Sequence, residues 1–178
     1  GLAFDYCLIA TARSFYRAPS DDRWEAGQTI STDSGGSRLG YLGDLARMAV
    51  FGEPTELMRE LLAEIEDAQQ AARRPIRPGA LRAEVNSAAH DAISGLPHRS
   101  EIDFEAHGMG LVNHEAPHVE LAREGGGETL AAGMVLSIET TLKNHEVGFV
   151  KLEDTVVVTE AGWEAYGDTG RGWNQAGG

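Results

Sequence analysis

The chain has 178 residues, 42 % of them apolar, and sets 15 Lys and Arg against 28 Asp and Glu for a formal charge of −13. That is enough material for one domain with its own core, and the acidic balance excludes partners that would repel it, namely nucleic acid and an anionic membrane surface. A single cysteine, Cys7, rules out a disulfide framework and fits a reducing, cytosolic compartment. In the apolar run FDYCLIA it reads as a buried structural residue. No apolar run approaches the roughly 20 residues of a membrane span, and no signal peptide is expected ahead of the domain. The first residue is glycine, so the chain is expected to begin partway into a longer one.

In chain order, residues 2–11 read as a strand, followed by the turn-rich loop SFYRAPSDDRWEAG. Two further strands are expected from Gln28 to Asp33 and from Tyr41 to Phe51, joined by the turn SGGSRLG. The period then changes. Leu57, Leu61, Ile65, Ala68 and Ala72 recur at helical spacing between Pro54 and Pro75. A second helix is expected from about Leu81 to Ile93, with Leu81, Val85, Ala89 and Ala92 on one face and Gly95 as its stop. Beyond it the chain is extended: a strand in EIDFEAHGMGLVNHEAPHVE, the glycine-rich loop REGGGETLAAG, and strands in MVLSIETTL and GFVKLEDTVVVTE. Residues 167–178 look like a flexible Gly-rich tail. Strands, two helices and strands again make an α+β chain, whose two strand-rich halves hint at an internal duplication.

The chemistry concentrates in a few acids and imidazoles. Three of the six histidines, His107, His114 and His118, fall on one twenty-residue stretch. Asp33 and Asp44 lie eleven residues apart across a glycine turn, where a hairpin sets them side by side. Alternation in MVLSIETTL places Ser137, Glu139 and Thr141 on one face, and in GFVKLEDTVVV it groups Glu153 with Lys151 and Thr155. Each residue alone has a plain structural reading as a turn former, a solvated acid or a hydrogen-bonded histidine. As a set, four carboxylates and an imidazole on adjacent strands would repel one another unless a cation neutralised them, and two bridged divalent metals are the economical answer.

The pieces TDSGGSRLGYLGDLAR, AHGMGLVNHEAP, GMVLSIETTL and VKLEDTVVVTE resemble the creatinase/aminopeptidase "pita-bread" family, which includes methionine aminopeptidase, aminopeptidase P and prolidase. The resemblance implies a pita-bread catalytic domain over residues 1–166, N-terminally incomplete, with a curved antiparallel sheet flanked by helices. It implies that Asp33, Asp44, His107, Glu139 and Glu153 bind two divalent ions (Mn, Fe, Co or Zn), whose bridging hydroxide attacks a peptide carbonyl. His114 matches the family's second histidine, which stabilises the transition state. Glu139 doubles as ligand and acid/base partner, and Arg47 matches a basic position supporting the metal site. Tyr16 stands about where prolidase-like members place a loop histidine. His118 stands where they often carry the arginine that grips a dipeptide carboxylate; it is a weaker, pH-dependent anion partner. The usual Glu-Pro is ETT here, and GHG is AHG.

The activity implied is that of an aminopeptidase or Xaa-Pro peptidase. A non-peptide hydrolase or lyase on the same fold stays open, as does a metal-free binding module. The partners expected are a peptide or small-molecule substrate, and a homodimer is open. A sheet lacking the family's opening helices is expected to expose apolar side chains around Leu8 and Ile9.

Overall fold

The structure, a computed structural model, describes residues 1–119 and 127–177. Among the described residues nine strands form one sheet: β1 (Ala3–Thr11), β2 (Thr29–Arg38), β3 (Tyr41–Phe51), β4 (Ile102–Gly108), β5 (Glu115–His118), β6 (Val135–Asn144), β7 (Gly148–Thr159), β8 (Gly162–Tyr166) and β9 (Asn174–Ala176). Their order is β1-β2-β3-β7-β6-β4-β5, with β8 on β7 and β9 on β3. All pairings are antiparallel except β3 with β9. Two helices, α1 (Glu56–Arg73) and α2 (Arg82–Ser94), cover one face, and a 3-10 turn at Arg99–Glu101 leads into β4. Among the described residues no helix is long and apolar enough to cross a membrane.

Both helices form where the period of the sequence places them. Thr55 caps α1 by accepting the Met58 N–H at 3.2 Å, and its apolar stripe, Leu61, Ile65, Ala68 and Ala72, is fully buried. The stripe packs with Val85 and Ala89 of α2 onto Ala106, Leu136, Ile138, Val150, Leu152 and Val156 of the sheet. Burying each leucine or isoleucine contributes about 1.5–3 kcal/mol, so this layer is the main source of cohesion. Gln69, fully buried within it, donates to the carbonyls of Ile138 (2.7 Å) and Leu152 (3.2 Å), so its amide nitrogen is satisfied.

Alternation does the rest. With Ile138 and Leu152 turned toward the helices, Ser137, Glu139, Lys151 and Glu153 must turn the other way. Paired residues share a face, and the register links Glu105 to Glu139, Glu139 to Glu153, Glu153 to Ala46 and Ala46 to Asp33. One face of the sheet is therefore a core and the other collects the acids.

Several expectations need correction. The glycines of SGGSR do not form the turn: they continue β2, and the hairpin closes at Leu39–Gly40, with Leu39 at φ 54° and Gly40 at φ 88°. The histidine stretch makes two strands, β4 and β5, rather than one. Cys7 is exposed, not buried, because β1 is an edge strand with no layer packed over it. Leu8 (37 %) and Ile9 (43 %) are exposed beside it, along with Leu2 and Phe4. Part of the loop REGGGETLAAG lies outside the described residues.

The last segment also differs from a flexible tail. Residues 174–176 pair with Ala49–Phe51, and the Trp173 indole N–H donates to the Met58 carbonyl at 2.9 Å. Arg171 reaches Glu66, Gln69, Asp168 and Asp154. Asp154, fully buried on the helix face, gathers Arg47, Arg73 at 2.5 Å and Arg171 around one carboxylate. Glycines gave this segment its loose look, but three guanidiniums need the acids that Asp154, Asp168 and Glu66 supply. Removing the central carboxylate leaves the fully buried Arg73 without its closest counter-charge. Asp154→Ala is expected to lower stability by about 3–5 kcal/mol, the cost of breaking a buried ion pair from one side. Arg171→Ala, whose side chain keeps some solvent contact, should cost less. Paired denaturant melts check the order, and equal small losses would contradict it.

Candidate metal centre

Each candidate side chain is held by its own strand. Asp33 sits mid-strand on β2 and Asp44 on β3, both buried; Glu139 comes from β6, Glu153 from β7 and His107 from β4. Ligand atoms of Asp33, Asp44 and Glu153 all lie within 4.8 Å of one another. Glu139 joins them through Lys151, whose Nζ lies 2.6 Å from Asp33 Oδ2, 2.8 Å from Glu139 Oε2 and 2.9 Å from Glu153 Oε2. His107 falls in an adjoining group with Glu105 and His114, again within 4.8 Å. The sheet thus brings the five candidate ligands to one face as two groups on neighbouring strands. Lys151, Glu105 and a ring of supporting residues are added to them.

The supporting contacts are specific. Ser137 donates to Glu153 Oε1 at 2.7 Å, and Thr141 to Glu139 Oε1 at 3.3 Å. Thr155 Oγ1 accepts the Asp44 N–H at 3.0 Å and donates to the Asp44 carbonyl at 2.9 Å, fixing β3 against β7 where their ladder is short. Asn113 donates to Asp44 Oδ2 at 3.2 Å and to the Tyr6 hydroxyl at 3.3 Å. Tyr6 can lie across β2 only because Gly35 has no side chain there: a Cβ would fall 2.2 Å from its ring. Gly108 plays the same part on the other side, since a Cβ would meet the Ala116 carbonyl oxygen at 2.2 Å and push β5 off β4.

The His107 ring is fully buried; its Nδ1 lies 3.1 Å from the Gly108 carbonyl oxygen, the geometry of an N–H donor that leaves Nε2 as the free lone pair. His114 stacks on it with centroids 3.7 Å apart, is half exposed, and approaches Glu105 at 3.8 Å. His118 stands opposite His107 in the β4–β5 pairing. Tyr16 is 83 % exposed on the loop after β1 and lines a cleft of about 660 Å³ with Cys7, Ile9, Arg17 and Trp24. Among the described residues it makes no hydrogen bond to the clustered acids, whereas its neighbour Arg17 pairs with Asp33 and sits over the Phe149 ring. Arg47 lies on the helix face, where it donates to the Glu153 carbonyl (2.9 Å) and pairs with Asp154. It braces the backbone of Glu153 from behind.

The electrostatics are those of a crowded anionic pocket. Burial pushes the Glu153 carboxyl well above its ordinary range; Lys151 opposes this, and Glu139, Asp44 and Asp33 add to it. Burial likewise raises Asp44, against a hydrogen bond from Tyr6 and with Asp33 reinforcing the rise. Burial works against the charge on Lys151, but Glu153, Glu139 and Asp33 outweigh it and hold the ammonium protonated. Burial and the neighbouring Asp44 keep the Tyr6 phenol neutral.

Whether divalent cations suit these residues can be tested on the donors themselves. Asp44 Oδ1 and His107 Nε2 are buried without a hydrogen-bond partner, and Glu153 Oε2 has only the ammonium beside it. Unpartnered buried acceptors are costly, and such atoms among clustered carboxylates and imidazoles fit a cation. The donor set, carboxylate oxygens with one imidazole, suits first-row divalent ions.

Four contributors escaped the reading of the sequence. Tyr6, Arg17 and Asn113 act across long stretches of chain, and no local pattern marks them. Glu105 could have been found, since it precedes His107 by two residues and so shares its face.

The comparisons agree with this geometry. The model of metallopeptidase family M24 matches residues 5–160. An Xaa-Pro dipeptidase of Pyrococcus furiosus is 33 % identical over 163 residues, 90 % of this chain and 46 % of the relative. The solved dipeptidase PepE of Mycobacterium ulcerans superposes with a TM-score of 0.87 at 28 % identity over 97 % of this chain and 47 % of that one. For the prolidase of Pyrococcus horikoshii the values are 0.80, 30 %, 92 % and 47 %. The chain thus spans about half the length of the relatives it matches. With a family match over most of its residues and the same fold in solved relatives, the chain belongs to metallopeptidase family M24 and has the pita-bread fold.

Proposed function

We propose that this face of the sheet is a dinuclear metal centre of a hydrolase that cleaves peptides, of the Xaa-Pro dipeptidase or aminopeptidase kind. The observation that carries the reading is the set of buried, unpartnered acceptors, Asp44 Oδ1 and His107 Nε2, beside three carboxylates gathered on one ammonium. Asp33, Asp44, Glu139, Glu153 and His107 would hold two divalent ions. Such ions, when bound, lower the pKa of a water and polarise a carbonyl.

The chain's own residues supply the remainder. Glu139, the most solvent-facing of the four acids at 18 % side-chain exposure, is placed to take and return a proton at the pocket mouth. His114, half exposed and stacked on His107, is placed to donate to an oxyanion as it forms; one such donor is worth about 2.7–4 kcal/mol. Ser137, Thr141 and Asn113 keep the carboxylates aimed, and Tyr6, held neutral, can donate to Asp44 without adding charge. A dipeptide carboxylate would meet Arg17 at the edge of the cleft or His118 on β5. A reducing, cytosolic setting is supported by the single cysteine, which is exposed.

The division of labour between the histidines is testable. His107→Ala should lose bound metal and activity together. His114→Ala should keep near-normal metal while kcat on an Xaa-Pro dipeptide falls about 10²- to 10³-fold. Elemental analysis and kinetics on the two variants check this, and equal metal loss in both would refute the assignment. Arg17→Ala should raise KM for dipeptides more than it changes kcat if Arg17 grips the carboxylate; an unchanged KM would leave that role to His118.

A further inference from the structure

Lys151 is the one described cation buried among the clustered acids, at 2 % exposure, and the metal reading assigns it nothing. Its ammonium has three donors, and three carboxylates from β2, β6 and β7 meet it at 2.6, 2.8 and 2.9 Å. All three are candidate ligands. The other two are not engaged by it: Asp44 Oδ1 and His107 Nε2 remain unpartnered. The candidate donors therefore divide into a filled set, Asp33, Glu139 and Glu153, and an open set, Asp44 and His107.

We infer that Lys151 is a built-in counter-cation, which holds the acids of the pocket together before metal arrives and which a divalent ion must displace to reach Asp33, Glu139 and Glu153. This rests on the reading of the pocket as a metal centre. The physical ground is simple. Acids within 4.8 Å of one another and removed from water repel strongly, and a single ammonium hydrogen-bonded to Asp33 and ion-paired with Glu139 and Glu153 offsets much of that cost. The same contacts oppose a metal ion, because an ion bonding to Asp33 Oδ2, Glu139 Oε2 and Glu153 Oε2 needs the oxygens that Lys151 holds. Asp44 Oδ1 and His107 Nε2 have no such competitor. Loading is then stepwise: a first ion bonds to donors the ammonium leaves open, and a second enters only as the flexible lysine stem swings its ammonium away.

The test is calorimetric binding of Mn²⁺ to chelator-treated protein, wild type beside Lys151→Met and Lys151→Arg. Wild type should take one ion tightly and a second at least tenfold more weakly. Lys151→Met, of similar length and no charge, should take both with affinities that differ less, and its metal-free form should melt below wild type. Lys151→Arg should keep the metal-free melting temperature closer to wild type. A measurement on wild type alone guards against a variant that folds poorly. Reductive methylation read by peptide mass spectrometry should spare Lys151 in chelator and modify it once both ions are bound.

A Lys151→Met variant that keeps the wild-type ratio of affinities, or a Lys151 equally protected with and without metal, overturns the role of Lys151 while leaving the metal centre standing. Failure of both proteins to retain any Mn²⁺ overturns the metal centre and this inference together.

Discussion

Four carboxylates crowd one face of this sheet, and the repulsion among them is the constraint that shapes everything nearby. Each is anchored by a different strand, so none can turn away without breaking a ladder. Serine, threonine and asparagine side chains hold them at defined angles, and one buried lysine supplies positive charge at the centre. Glu153 and Asp44 are raised in pKa by burial in that crowd. Divalent ions would relieve a tension that the fold itself has built.

The other face answers an opposite demand. The alternation that turns Glu153 toward the acids turns Asp154 toward the helices, where three arginines meet it. Glu153 and Asp154, adjacent in the chain, therefore solve two charge problems with opposite signs of excess, acid-rich in front and arginine-rich behind. Arg47 links the two by donating to the Glu153 carbonyl while pairing with Asp154. The C-terminal segment belongs to this rear support through Arg171. Core packing, ion pairing and ligand geometry are in this way mechanically one structure, which is why a change behind the sheet can be felt in front of it.

Much of this was legible in the sequence, for physical reasons. Strand alternation gave the faces of Glu139 and Glu153, and helical spacing gave both helices to within about a residue or two, the usual uncertainty of helix ends. Resemblance supplied the pairing of Asp33, Asp44 and His107 with them. What stayed hidden depended on contacts between distant segments. Lys151 could be placed on the face of Glu153, yet nothing local said that its ammonium would enter the pocket. Tyr6 reaches Asp44 only because Gly35 leaves room. The exposure of Cys7 follows from β1 lying at the sheet edge, which an apolar run cannot reveal. Glycines at 167, 170 and 172 masked a segment tied down by Arg171 and Trp173.

The central claim is that the acidic face is a cation centre completed by His107. Anomalous diffraction from crystals of this protein grown with Mn²⁺ tests it most directly. Two peaks are expected among Asp33, Asp44, Glu139 and Glu153, one of them also ligated by His107 Nε2, with Lys151 Nζ moved from its three carboxylates. Peaks confined to Glu105 and His114, or a pocket still filled by Lys151 at saturating Mn²⁺, would contradict it.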